Sequence, residues 1–206
     1  MKVLAAYDAQ NLLSKYVNVP KSILAQTIDQ ALSFAQYPAA IKIISKDALH
    51  KTEIKGVRIV NNRQDLIEQY GELLKVVRMH NIKLDGILVQ KFVEGTQVFV
   101  GIKKDSTFGH VIGLGVGGIL VEEIKDIEWR ACPITKKDAV SMLENLKFKN
   151  IIKGVRNTTN NIKELYDTLI ELSHLPKHYP ALLEMDVNPL IIDDKATVVD
   201  ARMVFE

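Results

Sequence analysis

Lys42 stands in the otherwise apolar segment Ala39–Ile44. A lysine in such a segment must either extend to water or meet an anion, because burying an unpaired ammonium costs free energy. An edge strand would allow the first arrangement. A cleft would allow the second, and a compact ammonium suits a triphosphate. The sequence leaves both arrangements open.

His50 follows in the polar segment 45–53. Neutral imidazole is a good nucleophile near neutral pH and can carry a phosphoryl group transiently. An ordinary surface histidine is the alternative. The other four histidines have no spacing that indicates a metal site.

A glycine cluster occupies positions 113, 115, 117 and 118, and it can be written as a GxGxxG match. That match favours dinucleotide binding only when a helix follows, whereas 119–121 is an apolar run typical of a strand. A turn that lets backbone amides approach phosphate oxygens explains the glycines as well, and so does a plain tight turn. Because no Gly-Lys-Ser/Thr sequence occurs, a P-loop is excluded.

The C-terminal segment carries the sharpest local pattern. Counting outward from a predicted hairpin turn at 193–195 places Asn188 and Asp200 close together across two apolar strands. An amide oxygen and a carboxylate there predict a site for Mg²⁺ held mainly by nucleotide phosphates. Arg202 lies two residues on, faces the same way and is expected to bind a phosphate oxygen. A solvated hairpin with incidental acids is the alternative.

Composition sets broad limits on the class of protein. The chain has 206 residues, 47% of them hydrophobic and 25% charged, which predicts a sizeable core. The net charge of +2 gives no global attraction to nucleic acid or to membranes. Because Cys132 is the only cysteine, an internal disulfide and a four-cysteine zinc site are excluded. A soluble, cytoplasmic protein without a membrane span is expected.

Periodicity and turn residues predict a mixed α/β (α+β) chain whose antiparallel strands are concentrated late. Asp8 is the expected cap of the first helix. Helices are predicted over 9–16, 27–36, 64–80, 136–146 and 160–172. Strands are predicted over 19–24, 39–44, 56–60, 86–93, 97–103, 109–114, 125–130, 185–192 and 197–204.

In order and spacing, these segments resemble the ATP-grasp β subunit of NDP-forming acyl-CoA synthetases, the group that contains ADP-forming acetyl-CoA synthetase. The chain resembles the β subunit of succinyl-CoA synthetase more distantly. The resemblance covers nearly the whole chain. Its segments include 8–16, 37–45, 49–57, 88–92, 115–122, 125–126, Arg130, 133–134, 153–156, the Asp-x-Asn-Pro at 186–189 and the Asp-Ala-Arg at 200–202.

The resemblance implies a single ATP-grasp domain over 1–206, in which two lobes with a largely antiparallel sheet clasp the nucleotide. The smaller lobe would span about 20–90, and the other lobe about 1–19 and 91–206. His50 would relay phosphate and, with Arg202, form the catalytic set. Nucleotide-binding residues would be Lys42, the adenine hinge Val89, Gln90, Lys91 and Phe92, and the glycines Gly115, Gly117 and Gly118, while Asn188 and Asp200 would hold Mg²⁺.

The implied reaction converts acyl-CoA, ADP and phosphate reversibly into a carboxylic acid, ATP and CoA through a phosphohistidine. A CoA-binding α subunit is the implied partner, with α2β2 as one possible assembly. Several positions depart from the family pattern, namely Glu53, Lys55, Lys91, Gln97 and Asn157. These departures keep a second hypothesis open, a non-catalytic ATP-binding regulatory module. A dinucleotide-dependent oxidoreductase is the third.

Overall fold

The computed structural model describes residues 1–45, 56–118, 124–154 and 160–206. Within these ranges the chain divides into two compact units. The larger unit comprises Met1–Val19 and Val93–Glu206, and the smaller unit comprises Pro20–Phe92. Each unit has its own sheet and its own hydrophobic core.

The described strands and helices have the following bounds. The strands are β1 Lys2–Leu4, β2 Ser22–Ala25, β3 Ala39–Ile44, β4 Val57–Val60, β5 Gly86–Lys91, β6 Thr96–Asp105, β7 Gly109–Val116, β8 Ile127–Ala131, β9 Leu182–Ile192, β10 Ala196–Val198 and β11 Ala201–Phe205. The helices are α1 Ala6–Leu13, α2 Ile28–Phe34, α3 Arg63–Met79, α4 Lys136–Asn145, α5 Lys149–Lys153 and α6 Ile162–His178.

The larger unit is built on a seven-stranded sheet in the order β1-β11-β9-β6-β7-β8, with β10 also paired to β9. Neighbouring strands in this sheet are antiparallel. One face packs against apolar residues of α1, α4, α5 and α6. Alternation along each strand therefore places the residues between these core positions on the opposite face, where the predicted polar residues of the C-terminal segment lie.

The smaller unit is a four-stranded antiparallel sheet in the order β2-β5-β3-β4. Its core joins Ile41 and Ile43 of β3 and Ile87 and Val89 of β5 to buried residues of α2 and α3. Helix α3 begins where the Asn62 side chain accepts a hydrogen bond from the Asp65 N–H at 2.9 Å.

The predicted fold class is confirmed: the chain is a mixed α/β structure with antiparallel sheets. The predicted cap of the first helix is wrong, because α1 begins after Ala5 and Asp8 lies within its first turn. The last predicted strand is divided in two, since Val199 and Asp200 separate β10 from β11. No helix in the described ranges is long and apolar enough to span a membrane.

Candidate functional site

The strand register on either side aligns Asn188 of β9 with Asp200, which lies between β10 and β11. Leu190 pairs with Val198 on one side of them and Val187 with Ala201 on the other, and the same register carried through aligns the two residues. The Val199 N–H donates to the Pro189 carbonyl at 3.3 Å, which joins the two strands at this point. The structure thus brings the two predicted metal ligands together.

The Asn188 side-chain amide contacts the glycine cluster. Its Oδ1 accepts a hydrogen bond from the Gly118 N–H at 2.7 Å, and its Nδ2 donates to the Gly118 carbonyl at 3.4 Å. Gly118 has a φ of 72°, which favours glycine. A predicted metal ligand is therefore hydrogen-bonded directly to a predicted phosphate-binding residue.

Asp186, which the sequence analysis did not single out, lies on the same face and directly opposite Arg202. Burial, together with the nearby Glu184 and Asp200 carboxylates, raises the pKa of the Asp186 carboxyl to about 6, while Arg202 acts in the opposite direction. Arg202 Nη1 lies 3.6 Å from Glu184 Oε1. Among the described residues, Asp186 Oδ1 and Arg202 Nε have no hydrogen-bond partner, so this part of the face can still bind an incoming polar group.

The signal for Asp186 was present in the sequence. Glu184, Asp186 and Asn188 alternate along β9, and side chains at every second position of a strand share a face. The alternation that predicted the placement of Asn188 therefore also applied to Asp186. The sequence alone did not show that Asp186 is buried, and this burial is the main cause of the raised pKa of the Asp186 carboxyl.

A row of directly paired residues runs across the sheet from Arg202 and Asp186 through two glycines to an aromatic ring. Asp186 pairs with Gly101, Gly101 with Gly113, and Gly113 with Trp129. A Cβ on Gly113 would lie 2.8 Å from the Trp129 ring, so the indole covers this glycine. The Lys103 ammonium lies 4.6 Å from the Trp129 ring centroid, which is a cation–π distance.

The interpretation of the glycine cluster as a turn is wrong for Gly115, while Gly113 lies in a strand, as the strand prediction over 109–114 requires. Gly113 and Gly115 lie inside β7, which is antiparallel to both of its neighbours. A Cβ on Gly115 would lie 2.8 Å from the Asp126 carbonyl oxygen. These glycines therefore allow close packing of strands, and the antiparallel setting does not match a dinucleotide-binding βαβ unit.

Gly117 and Gly118 do follow the strand, as a turn requires. The Gly117 N–H donates to the Gln97 carbonyl at 2.9 Å, and a Cβ on Gly117 would lie 2.6 Å from the Val98 backbone nitrogen. A Cβ on Gly118 would overlap Oε1 of Gln97. Close approach to the β6 backbone thus explains why Gly117 lacks a side chain, whereas the positive φ of Gly118 explains the glycine there.

Lys42 occupies an interior strand of the smaller unit, since β3 lies between β5 and β4. The edge-strand alternative is therefore excluded. Its side chain is 5% exposed and lies on the face opposite α2 and α3, because its neighbours Ile41 and Ile43 pack against those helices. A buried lysine on that face fits the cleft arrangement, in which its ammonium meets an anion.

The four predicted hinge residues lie at the C-terminal end of the smaller unit. The first three are the last residues of β5, and Phe92 follows that strand. Val89 packs in the core, Gln90 is 2% exposed on the face that carries Lys42, and Lys91 is exposed. The Phe92 N–H donates to the Pro38 carbonyl at 3.0 Å. The hinge side chains thus differ in burial, and only part of the segment could face a base.

The donors present fit magnesium better than zinc. No cluster of three or more His, Cys, Asp or Glu side chains in the described ranges could hold a metal ion by itself. An amide oxygen and a carboxylate on one face instead form a partial oxygen site, and phosphate oxygens and water complete such sites around Mg²⁺. His50 and the departures at Glu53, Lys55 and Asn157 lie outside the described residues.

Comparison with known proteins gives a consistent result. The family model for the ATP-grasp domain matches residues 1–205. A curated relative, acetate–CoA ligase (ADP-forming) I of Archaeoglobus fulgidus, is 36% identical over 88% of this chain, and the chain spans 28% of that protein's length. The β subunit of acetate–CoA ligase (ADP-forming) II of Pyrococcus furiosus is 34% identical, over 98% of this chain and 92% of that subunit.

Two solved structures have the same architecture. A dinucleotide-forming acetyl-coenzyme A synthetase 1 of Candidatus Korarchaeum cryptofilum, in complex with coenzyme A and Ca-AMPCP, matches with a TM-score of 0.94 and 30% identity over 100% of this chain and 94% of that one. A second structure of that protein, with Mg-AMPPCP and a phosphohistidine segment pointing towards the nucleotide binding site, matches with a TM-score of 0.84 and 27% identity over 100% and 93%. The chain belongs to the ATP-grasp family, in the group of the β subunits of ADP-forming acetate–CoA ligases.

Proposed function

We propose that this chain is the nucleotide-binding (β) component of an NDP-forming acyl-CoA synthetase. The reaction would convert acyl-CoA, ADP and phosphate reversibly into a carboxylic acid, ATP and CoA. The observation that carries the proposal is the alignment of Asn188 in β9 with Asp200, which separates β10 from β11, beside Arg202 in a chain of this family. Such a face binds and orients a magnesium-bound polyphosphate.

Each described residue has a role in this proposal. Asn188 and Asp200 would hold Mg²⁺, which when bound neutralises negative charge on the phosphates. Arg202 would bind a phosphoryl oxygen, and Lys42 would bind the nucleotide phosphates as a point charge. Gly117 and Gly118 would present backbone amides to phosphate oxygens, and the end of β5 would contact the base. These residues would act mainly by orientation and charge neutralisation, which dominate phosphoryl transfer.

His50 would supply the covalent step. An imidazole nitrogen of His50 would attack the phosphorus of a phosphohistidine on the partner, and the P–N bond to the partner would break as the bond to His50 forms. The phosphoryl group would then pass to a β-phosphate oxygen of ADP, which releases neutral His50. The partner in this proposal is a CoA-binding α component, since the proposed site residues of this chain serve the nucleotide.

A non-catalytic ATP-binding module is the second candidate. Two of the departures from the family pattern can be placed in the structure. Lys91 is exposed at the end of the proposed hinge, where the family resemblance implies an acidic residue. The neutral amide of Gln97 lies against Gly118, and the resemblance implies a glutamate at position 97. Both changes alter the charge beside the proposed nucleotide contacts.

One set of experiments separates these functions. Calorimetry should detect MgADP and MgATP but not NAD. A phosphorylated α-type partner should then transfer radiolabelled phosphate to the wild-type chain and onward to ADP, whereas His50→Ala should bind MgADP normally and retain no label. Binding without transfer from any tested partner would favour the regulatory module, and binding of NAD alone would refute both.

A further inference from the structure

The proposed metal ligand Asn188 holds the glycine turn at two points. Its Oδ1 accepts from the Gly118 N–H at 2.7 Å and its Nδ2 lies 3.4 Å from the Gly118 carbonyl oxygen. A side-chain amide that meets the N–H and the C=O of one residue fixes the orientation of both adjoining peptide groups. Asn188 therefore acts on the backbone of the turn as well as facing Asp200.

The turn needs such support on this side. Gly117 is fixed to β6 through the Gln97 carbonyl and by its close approach to Val98. Gly118 has a positive φ, a backbone conformation with wide freedom in glycine. The hydrogen bonds from Asn188 on β9 are therefore well placed to select one orientation of its N–H and C=O groups.

We propose, on the basis of the proposed function, that Asn188 is a positioning residue for the glycine turn as well as a metal ligand. An amide oxygen has two lone pairs, so Oδ1 can keep the Gly118 N–H and still face a cation. The side chain that would bind the metal then also sets the turn that would approach the phosphates. Metal binding and turn geometry are coupled through one amide.

The coupling is first tested without nucleotide or metal. Hydrogen exchange of the Gly118 amide, followed by NMR in EDTA, should accelerate roughly fivefold or more in Asn188→Ala, because a hydrogen bond that protects it is lost. Asn18→Ala is the matched control, since it removes another asparagine bond in the same unit, to Thr197 Oγ1 at 2.6 Å. The control should leave Gly118 exchange within twofold of wild type. Unchanged exchange in Asn188→Ala would overturn the inference.

A second measurement uses the wild-type chain, so its result does not depend on whether the Asn188→Ala variant folds. A scalar coupling across the hydrogen bond from the Gly118 nitrogen to the Asn188 side-chain carbonyl carbon should be detectable in the metal-free chain. It should persist after Mg²⁺ is added, because the N–H and the cation use different lone pairs. Absence of the coupling in the metal-free chain, or its loss on adding Mg²⁺, would refute the proposed arrangement.

Nucleotide binding distinguishes this inference from the proposed function. In EDTA, Asn188→Ala should weaken ADP binding roughly fivefold, because the turn loses its support, whereas the control Asn18→Ala should bind ADP like wild type. With Mg²⁺, Asn188→Ala and Asp200→Ala should both bind ADP more weakly. If both variants lose affinity only with Mg²⁺, Asn188 is a metal ligand alone and the inference fails. If neither variant changes MgADP affinity, the proposed metal site fails instead, and the exchange result still decides the role of Asn188 in the turn.

Discussion

Asp186 lies directly opposite Arg202 on adjacent strands, yet Arg202 forms its ion pair with Glu184 at 3.6 Å. Asp186 keeps Oδ1 without a hydrogen bond among the described residues, and burial raises the pKa of its carboxyl to about 6. A structure selected for stability alone would pair or remove such a carboxylate. Retained polar groups of this kind are typical of sites that act on a ligand.

Replacing Asp186 should therefore stabilise the chain. At pH 8 and in EDTA, Asp186→Asn should raise the free energy of unfolding by on the order of 1–3 kcal/mol, because it removes a desolvated charge. Urea denaturation measures the change. The matched control is Asp194→Asn in the exposed turn between β9 and β10, which should change stability by less than about 0.5 kcal/mol. An equal or lower stability for Asp186→Asn would show that the charge is compensated in the native state.

Removing the Asp200 carboxylate should weaken binding of MgADP about tenfold or more, since the proposed cation would lose one of its two protein ligands. Titration calorimetry with and without Mg²⁺ measures the change. Asp194→Ala removes an exposed carboxylate of the same hairpin and should bind MgADP like wild type. Unchanged affinity in Asp200→Ala would count against the metal assignment.

The two glycines Gly117 and Gly71 should respond in opposite ways to alanine. A Cβ on Gly117 would lie 2.6 Å from backbone atoms of Val98, so Gly117→Ala should destabilise the chain by about 1–3 kcal/mol. Gly71 lies inside α3, and outside its chain neighbours and the adjacent backbone of that helix an added Cβ would have no heavy atom within 4 Å. Gly71→Ala should stabilise by about 0.5–1 kcal/mol through helix propensity. Denaturant titrations should give these opposite signs, and a stabilised Gly117→Ala would contradict the close packing.

Cys132 should be unreactive in the folded chain. Burial raises the pKa of its thiol from the ordinary 9.0 to about 12. Because the folded pKa is raised, the associated stability is complete below pH 9 and is lost as the pH rises towards 12. At pH 8, iodoacetamide should alkylate the native chain at least about a hundredfold more slowly than the urea-unfolded chain. Similar rates in the two states would refute the burial of this thiol.

Local patterns predicted most elements well, because apolar periodicity and the proline or glycine residues that end an element depend on only a few neighbouring residues. Strand β3 has the predicted bounds, and α3 differs by one residue at each end. The hairpin count correctly aligned Asn188 with Asp200 because the register continues from the turn. The domain assignment and the roles of the site residues stay predictions.

Other features depended on residues distant in sequence. The interior position of Lys42 follows from pairing of β3 with both β4 and β5, which a single segment does not reveal. The sequence did not indicate the packing role of Gly113, whose lack of a side chain accommodates the Trp129 ring from the next strand. The pairing of β1 with β11 joins residues near the two ends of the chain. Such packing is decided by tertiary contacts rather than by local propensity.

Trp129 is the only tryptophan in the sequence, and its indole covers a glycine in the row that leads to Asp186 and Arg202. All tryptophan emission of this protein therefore arises from that face of the sheet. The Lys103 ammonium lies 4.6 Å from the centroid of this ring, so we expect the emission to respond when the charge near it changes. Fluorescence of the unlabelled chain thus provides an optical reporter of events on this face.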